Sequence, residues 1–336
     1  MNFGRKMTIS RRTFLQGLIG ATGLTAVGYY LGKRFFRPVR EESVFIAQAH
    51  SYKADLAAVL LTGLKELGIQ RQEIRGRRIL LKPNLVETSL GAPHINTHPL
   101  VIRGAVEAFM KLGAAKVIVA EGPGHNHDTL MVLEESGFVE VLQEDRIPFV
   151  DLNYDRGFPL VNAGGFSCLK TLTFPATLSQ VDWIVSVAKL KTHHWAGVTL
   201  SLKNLFGVMP GIYYGWPKNV LHRAGISECI LDIAATLKPH LAIVDGIVGM
   251  EGDGPIMGTP KEVRALVMGR NLTAVDATCT RLMGIDPYRV EYLAKADGFL
   301  GPVATSRIRQ RGEAVSRMRQ DFQLVERIPA HRTLRM

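Results

Sequence analysis

The 336-residue sequence predicts a layered α/β fold, a mostly parallel sheet flanked by helices with an inserted hairpin region, and three observations predict it. Short apolar runs recur along the chain. Several are continuous where a half-exposed strand would alternate. Helical patterns lie between them. Continuous apolar strands suit a parallel sheet covered on both faces, and alternating strands and helices imply right-handed crossovers.

The strand runs are 44–47, 79–81, 117–120, 183–187, 241–244 and 263–268, all rich in Val, Ile or Leu. Apolar residues at helical spacing fill roughly 54–67, 99–112, 129–142, 197–206, 223–237, 272–283 and 287–296. The second of these is announced by Thr97-His98-Pro99, a capping position followed by a proline whose missing N–H costs nothing in a first turn. Residues 145–180 break the rhythm with Gly157, Pro159 and Gly164-Gly165 among recurring apolar residues, which reads as a hairpin or edge-strand insertion. The division is then a leader over 1–40, an α/β domain over 41–300, and a basic, weakly periodic helix or tail over 301–336 that solvent would surround.

The formal charge of +11 is unevenly placed. Residues 1–40 carry eight Lys or Arg and no acid, and residues 305–336 carry eight Arg against three acids; the remainder holds 25 bases and 27 acids. A nucleic-acid-binding face needs clustered basic residues on the folded body, so no nucleic-acid partner is expected. The first basic block has its own explanation. Ser10-Arg11-Arg12-Thr13-Phe14-Leu15-Gln16 precedes an uncharged, Gly-rich stretch, the pattern of a twin-arginine export signal. That predicts contact with the twin-arginine export machinery and a location in the periplasm or at the outer face of the cytoplasmic membrane. Leu15 to Leu31 is 17 residues, short of the ~20 that span a bilayer, so a retained membrane anchor stays open beside cleavage. Cys168, Cys229 and Cys279 are 61 and 50 positions apart, a spacing unlike that of an iron–sulfur cluster or a four-cysteine zinc site.

In open α/β sheets ligands bind beyond the carboxyl ends of the strands, so the residues just after each run are the candidate site. Lys82-Pro83-Asn84 follows the second run. Lys189, Lys191, Thr192 and His193 follow the fourth, with Lys203-Asn204 in the segment after it. In an extended chain Lys189 and Lys191 share a face; two like charges there are tolerable around an anion, helped by N–H groups of a following helix. His193 is placed to donate to that ligand or to move a proton. Thr97 and His98 serve either the cap or the ligand, and Gly122 and Gly124 permit close backbone approach, with His125 and His127 as metal candidates beside them. The loop from Asp245 to Pro255 offers Asp245, Glu251 and Asp253 to a divalent cation or as acid and base, or as partners for the lysines.

Lys82-Pro83-Asn84, Thr97-His98-Pro99, Lys191-Thr192-His193, the run from Leu202 to Gly207 and the Asp245 to Pro255 loop, in that order, resemble the family known as domain of unknown function 362, over about residues 44–285. Some of its members carry a ferredoxin-like segment with clustered cysteines, which this chain lacks. In layout the chain is also distantly similar to the amino-terminal domain of nickel-pincer lactate racemases. Three function classes follow. The first is an exported enzyme acting on a small carboxylate or phosphate, by metal-assisted proton transfer of the racemase or epimerase kind: Lys82, Lys189, Lys191 and Lys203 hold the anion, His193 moves the proton, and Asp245 and Glu251 serve the metal or act as base. The second is a binding protein or carrier using the same lysines without turnover. The third, a redox partner, is disfavoured by the cysteine count. No G-x-G-x-x-G or G-x-x-x-x-G-K occurs to bind a nucleotide.

Overall fold

A computed structural model describes residues 41–89, 91–124 and 128–335. Eleven strands are found among them: β1 (Glu42–Gln48), β2 (Arg78–Pro83), β3 (Lys116–Glu121), β4 (Phe149–Asp151), β5 (Gly157–Val161), β6 (Thr171–Pro175), β7 (Trp183–His193), β8 (Gly197–Thr199), β9 (Leu241–Glu251), β10 (Thr259–Gly269) and β11 (Ile308–Gly312). The main sheet has the order β11-β1-β10-β9-β7-β2-β3-β4, with β8 paired to β7. Every pairing along that path is parallel except the two that flank β10. All six sequence runs lie inside these strands, and 145–180 supplies the edge strand β4 and the separate hairpin β5–β6.

Alternation within the strands sends side chains into two cores. Val44 and Ile46 face a core with the helices Ile226–Leu237, Leu272–Leu282 and Glu291–Ala296. Phe45 and Ala47 face a second, covered by Leu56–Glu66, Pro99–Lys111, Thr129–Glu135 and Phe138–Glu144. Helix starts follow the sequence signals: Asp55 accepts from the amide of Ala58, and His98, with Pro99 behind it, accepts from Leu100. The pattern read as one helix over 129–142 is two, divided where Gly137 takes φ +71°.

Two expectations are corrected. The helix expected from about residue 197 is instead strand β8, followed by a four-residue helix, Ser201–Asn204, and a 3-10 turn, Leu205–Val208; Val198 and Thr199 pair with β7 and so are spent on the sheet. Residues 301–336 do not form a solvated tail. β11 lies parallel to β1 at the sheet edge, and Phe322 and Leu334 are fully buried in the first core. The arginines there mark its outer surface, while sparse apolar residues between them do the packing. The described residues form one compact unit. None of their helices is long and apolar enough to cross a membrane. The twin-arginine motif and the anchor segment fall in residues 1–40, outside the described residues.

The strand order fixes where a site belongs. From β2 the chain steps to β3 and β4 on one side, then returns to lay β7 on the other side of β2. The two connections diverge, and a crevice opens beyond the carboxyl ends of β2 and β7.

Candidate functional site

That crevice holds a cavity of about 180 Å³. Its polar lining comes from Lys82 near the end of β2, Asn84 just after it, Glu121, Gly122 and Gly124 at the end of β3, His193 and His194 at the end of β7, and Thr199 of β8. Lys203 and Asn204 of the short helix, and Lys218 and His222 further on, complete it; Trp195, Phe206 and Pro217 supply apolar wall.

Lys82 and Glu121 form a buried ion pair, Nζ to Oε2, at 2.5 Å, and the same ammonium donates to Asn204 Oδ1 at 2.9 Å and to the carbonyl of Pro83 at 2.7 Å. Glu121 also accepts from the backbone amides of Leu85 and Gly122. Desolvation of the amine pulls the Lys82 pKa down against the pull of Glu121. The pair requires a glycine at 207, because a Cβ there would come within 1.9 Å of Glu121 Oε1 and 2.5 Å of Lys82 Nζ. Asn204 connects these groups to the strands, donating from Nδ2 to the carbonyl of Lys82 and to Ser186 Oγ.

The remaining amines differ from Lys82. Lys218, buried, donates to Asn153 Oδ1. Lys203 lies with Nζ 4.0 Å from the centre of the Phe206 ring and, among the described residues, has no hydrogen-bonded or ion-paired partner. Both have pKa values lowered to about 7, by desolvation first; Lys82 lowers Lys203 further, and Glu121 partly offsets the effect at Lys218. Three amines therefore face one carboxylate, already engaged, around one cavity.

The histidines are oriented by backbone contacts. His193 Nδ1 accepts from the amides of Trp195 at 3.0 Å and Ala196 at 3.2 Å, so its neutral ring carries the proton on Nε2. Its pKa is held well below the usual histidine value by burial and by the nearby amine of Lys203. His222 is the reverse: Nδ1 faces the carbonyl of Lys218 at 3.0 Å and can only donate to it, which leaves Nε2 an acceptor. Burial and Lys203 lower its pKa too.

Of the residues singled out in the sequence, Lys82, Asn84, Gly122, Gly124, His193, Lys203 and Asn204 meet in this cavity. The others among the described residues lie outside its lining. Lys189 and Lys191 do not clamp one anion. Lys189 pairs with Asp245 at 2.8 Å in full burial, and Lys191 donates to the carbonyls of Ile95 and Pro255. The extra residues at the register shift belong to β9, where Asp245 and Met250 face the two lysines. Ala188 and Leu190 turn together into the first core, so Lys189 and Lys191 share the other side of β7 as alternation requires, but each amine is already engaged. Thr97 is structural, accepting from the amide of Asn84 and donating to the carbonyl of Val187. His98 stacks on Tyr52 at 3.7 Å, and burial lowers its pKa to about 4. Thr192 donates to the carbonyl of Gly252.

The carboxylates expected to share a metal are separately engaged: Asp245 by Lys189 and Tyr52, Glu251 by Lys261 and the amide of Gln323, Asp253 by Arg327. Among the described residues no group of three or more His, Cys, Asp or Glu could hold a metal ion. His125 and His127 lie outside the described residues. Sequence reasoning missed Lys218, His222 and Trp195. The segment that carries the first two, Gly211–Arg223, consists of two helical turns of four and five residues joined by a loop, too short for periodicity to register.

Fold and site together define an α/β protein with a lysine-lined crevice at its topological switch point. The chain belongs to the family described as domain of unknown function 362, whose model matches residues 79–281. It is 29% identical over 270 residues to a thylakoid-associated protein of Synechocystis, covering 78% of this chain and 81% of that one. Among solved structures it is similar to a crystal structure of a Thermotoga maritima protein, with 12% identity, TM-score 0.38, and coverage of 67% of this chain and 57% of the other. It is also similar to the lactate racemase apoprotein of Thermoanaerobacterium thermosaccharolyticum, with 12% identity, TM-score 0.35, and coverage of 68% and 55%. The chain thus spans little more than half the length of either solved chain.

Proposed function

We propose that this protein is an enzyme that binds a small carboxylate or phosphate compound in the crevice beyond β2 and β7 and moves a proton on it. One observation carries the reading: Lys82, Lys203 and Lys218, from three separate stretches of chain, surround one cavity whose lining includes a single carboxylate, Glu121. Uncompensated ammonium groups in a partly enclosed site are costly unless a counter-charge arrives. Lys203, beside an aromatic wall and without a hydrogen-bonded or ion-paired partner among the described residues, is the group such an anion would engage. Proton transfer suits the site because amines with pKa values near 7 stand beside two neutral histidines. The chain is further proposed to act outside the cytoplasmic membrane, on the strength of the Arg11-Arg12 motif and of a relative that is named for association with thylakoids.

The test is direct binding. Isothermal titration of the purified full chain with acetate and with inorganic phosphate at low ionic strength should give a saturable site for one of them. Lys203→Met should weaken it at least tenfold. If neither anion binds the unaltered protein, or Lys203→Met binds as well as it does, the reading fails.

A further inference from the structure

We propose that His222 and His193 work as a complementary pair, His222 Nε2 accepting a proton from carbon and His193 Nε2–H donating a hydrogen bond to the oxygen on the neighbouring carbon. This makes the substrate an anion with a C–H bond next to a carbonyl group. The inference rests on the anion-binding reading above and adds the reacting atoms to it.

The geometry behind it is the opposite locking of two rings that line one cavity. Two backbone amides press on His193 Nδ1, and no proton can sit there without losing both contacts. The carbonyl of Lys218 faces His222 Nδ1, and a proton must sit there. Each neutral ring thus turns a different function outward, one donor and one acceptor. Neither Nε2 has a hydrogen-bond partner among the described residues. Both rings border the indole of Trp195, with centroids 6.5 Å from it for His193 and 5.2 Å for His222. His222 also meets the ring of Phe206 at 5.7 Å, the ring against which Lys203 rests. The acceptor, the donor and the free amine therefore share one wall. Two identical tautomers would offer only two bases or only two donors, and neither set enolises a carbonyl compound well.

The step balances within these groups. The C–H bond breaks and its proton goes to His222 Nε2, which becomes imidazolium. The electron pair forms a carbon–carbon double bond, and the carbonyl π pair moves to oxygen. The resulting oxyanion lies against His193 Nε2–H and the Lys203 ammonium, donors already in place where charge develops. Return of the proton restores the carbonyl and both rings, and no oxidant or co-reactant is consumed. Burial and the adjoining amines favour the uncharged histidines that the step requires at the outset.

Two measurements test the pair. In [15N]histidine-labelled full chain near pH 7.5, two-bond proton–nitrogen correlation spectra should show His222 as the Nδ1–H tautomer and His193 as the Nε2–H tautomer, each signal assigned by its absence in His222→Asn or His193→Gln. Either ring in the other tautomer, or protonated, overturns the proposal. Incubation in D2O with pyruvate, a carboxylate probe, and with dihydroxyacetone phosphate, a phosphate probe, should exchange carbon-bound protons of one of them, followed by proton NMR. His222→Asn keeps a donor for the Lys218 carbonyl but has no acceptor at Nε2, and should slow that exchange at least about 100-fold with affinity changed less than threefold. Binding of either probe without exchange, or exchange unaltered in His222→Asn, overturns this inference and leaves the anion site standing. Absence of binding by both probes, together with acetate and phosphate, defeats the anion reading and this inference with it.

Discussion

A single side chain, Lys203, ties the electrostatics of the crevice to a measurable pH dependence. Its amine ordinarily holds a proton to about 10.5 and here releases it near 7, because the pocket walls remove water and Lys82 repels it. An anion gains from the charged form, so acetate affinity should be full at pH 6 and fall by up to about tenfold per pH unit above 7. Acetate itself stays ionised throughout that range. Lys218, with a similar pKa, contributes to the same fall, so Lys203→Met should bind more weakly and with a shallower pH slope. The ligand-free protein should respond in the opposite sense. Between pH 7 and 10.5 the unfolded chain keeps protons on these two lysines that the folded one has released, so their contribution to stability rises with pH across that window. Titrations at pH 6, 7, 8 and 9 check the first statement, and an affinity that does not change with pH contradicts it.

At the scale of elements, the short helix Ser201–Asn204 needs an external anchor, because one turn cannot hold itself. Asp276, buried in the helix Leu272–Leu282, accepts from the amides of Ser201 at 2.8 Å and Leu202 at 2.9 Å and from Ser201 Oγ at 2.5 Å. Burial raises its pKa to about 7 while these donors pull the other way. Asp276→Ala would strand both amides without a partner at roughly 1–3 kcal/mol each. Urea unfolding should therefore show a loss of about 2–6 kcal/mol, and the surviving folded protein should bind anions poorly, since Lys203 and Asn204 sit on that turn. Nothing in the sequence ties Asp276 to residue 201, for the contact joins positions 75 apart through the fold. The same limit explains what was readable and what was not. Lys82 and Lys203 were legible because one ends an apolar strand and the other stands in an apolar segment where a charge needs a reason. Lys189 was legible as a strand-end cation and the Asp245 to Pro255 loop as one source of partners for it, but which carboxylate pairs with which lysine was not, because apolar patterning does not reveal register across β7 and β9. His222 was hidden in a helical turn of five residues, where no pattern accumulates.

Taken as a whole molecule, the protein depends on its last thirty residues for more than an edge. Their arginines suggest solvent, yet Phe322 and Leu334 are fully buried, and Met318 and Ile328 are each 7% exposed. Four such side chains are worth roughly 1.5–3 kcal/mol each, together about as much as the 5–15 kcal/mol that holds a typical domain folded. β11 also occupies the edge of β1, which would otherwise present unpaired backbone groups. The segment even reaches the crevice, since buried His331 faces the carbonyl of His193 through Nε2 at 3.3 Å. Ending the chain after Ala304 should therefore abolish cooperative urea unfolding and leave a protein that aggregates. The paired substitution Phe322→Ala tests the same packing more gently, with a loss of about 3–5 kcal/mol and a fold that remains cooperative. A segment that merely trailed in solvent would leave both the unfolding midpoint and the sharpness of the transition where they are in the full chain.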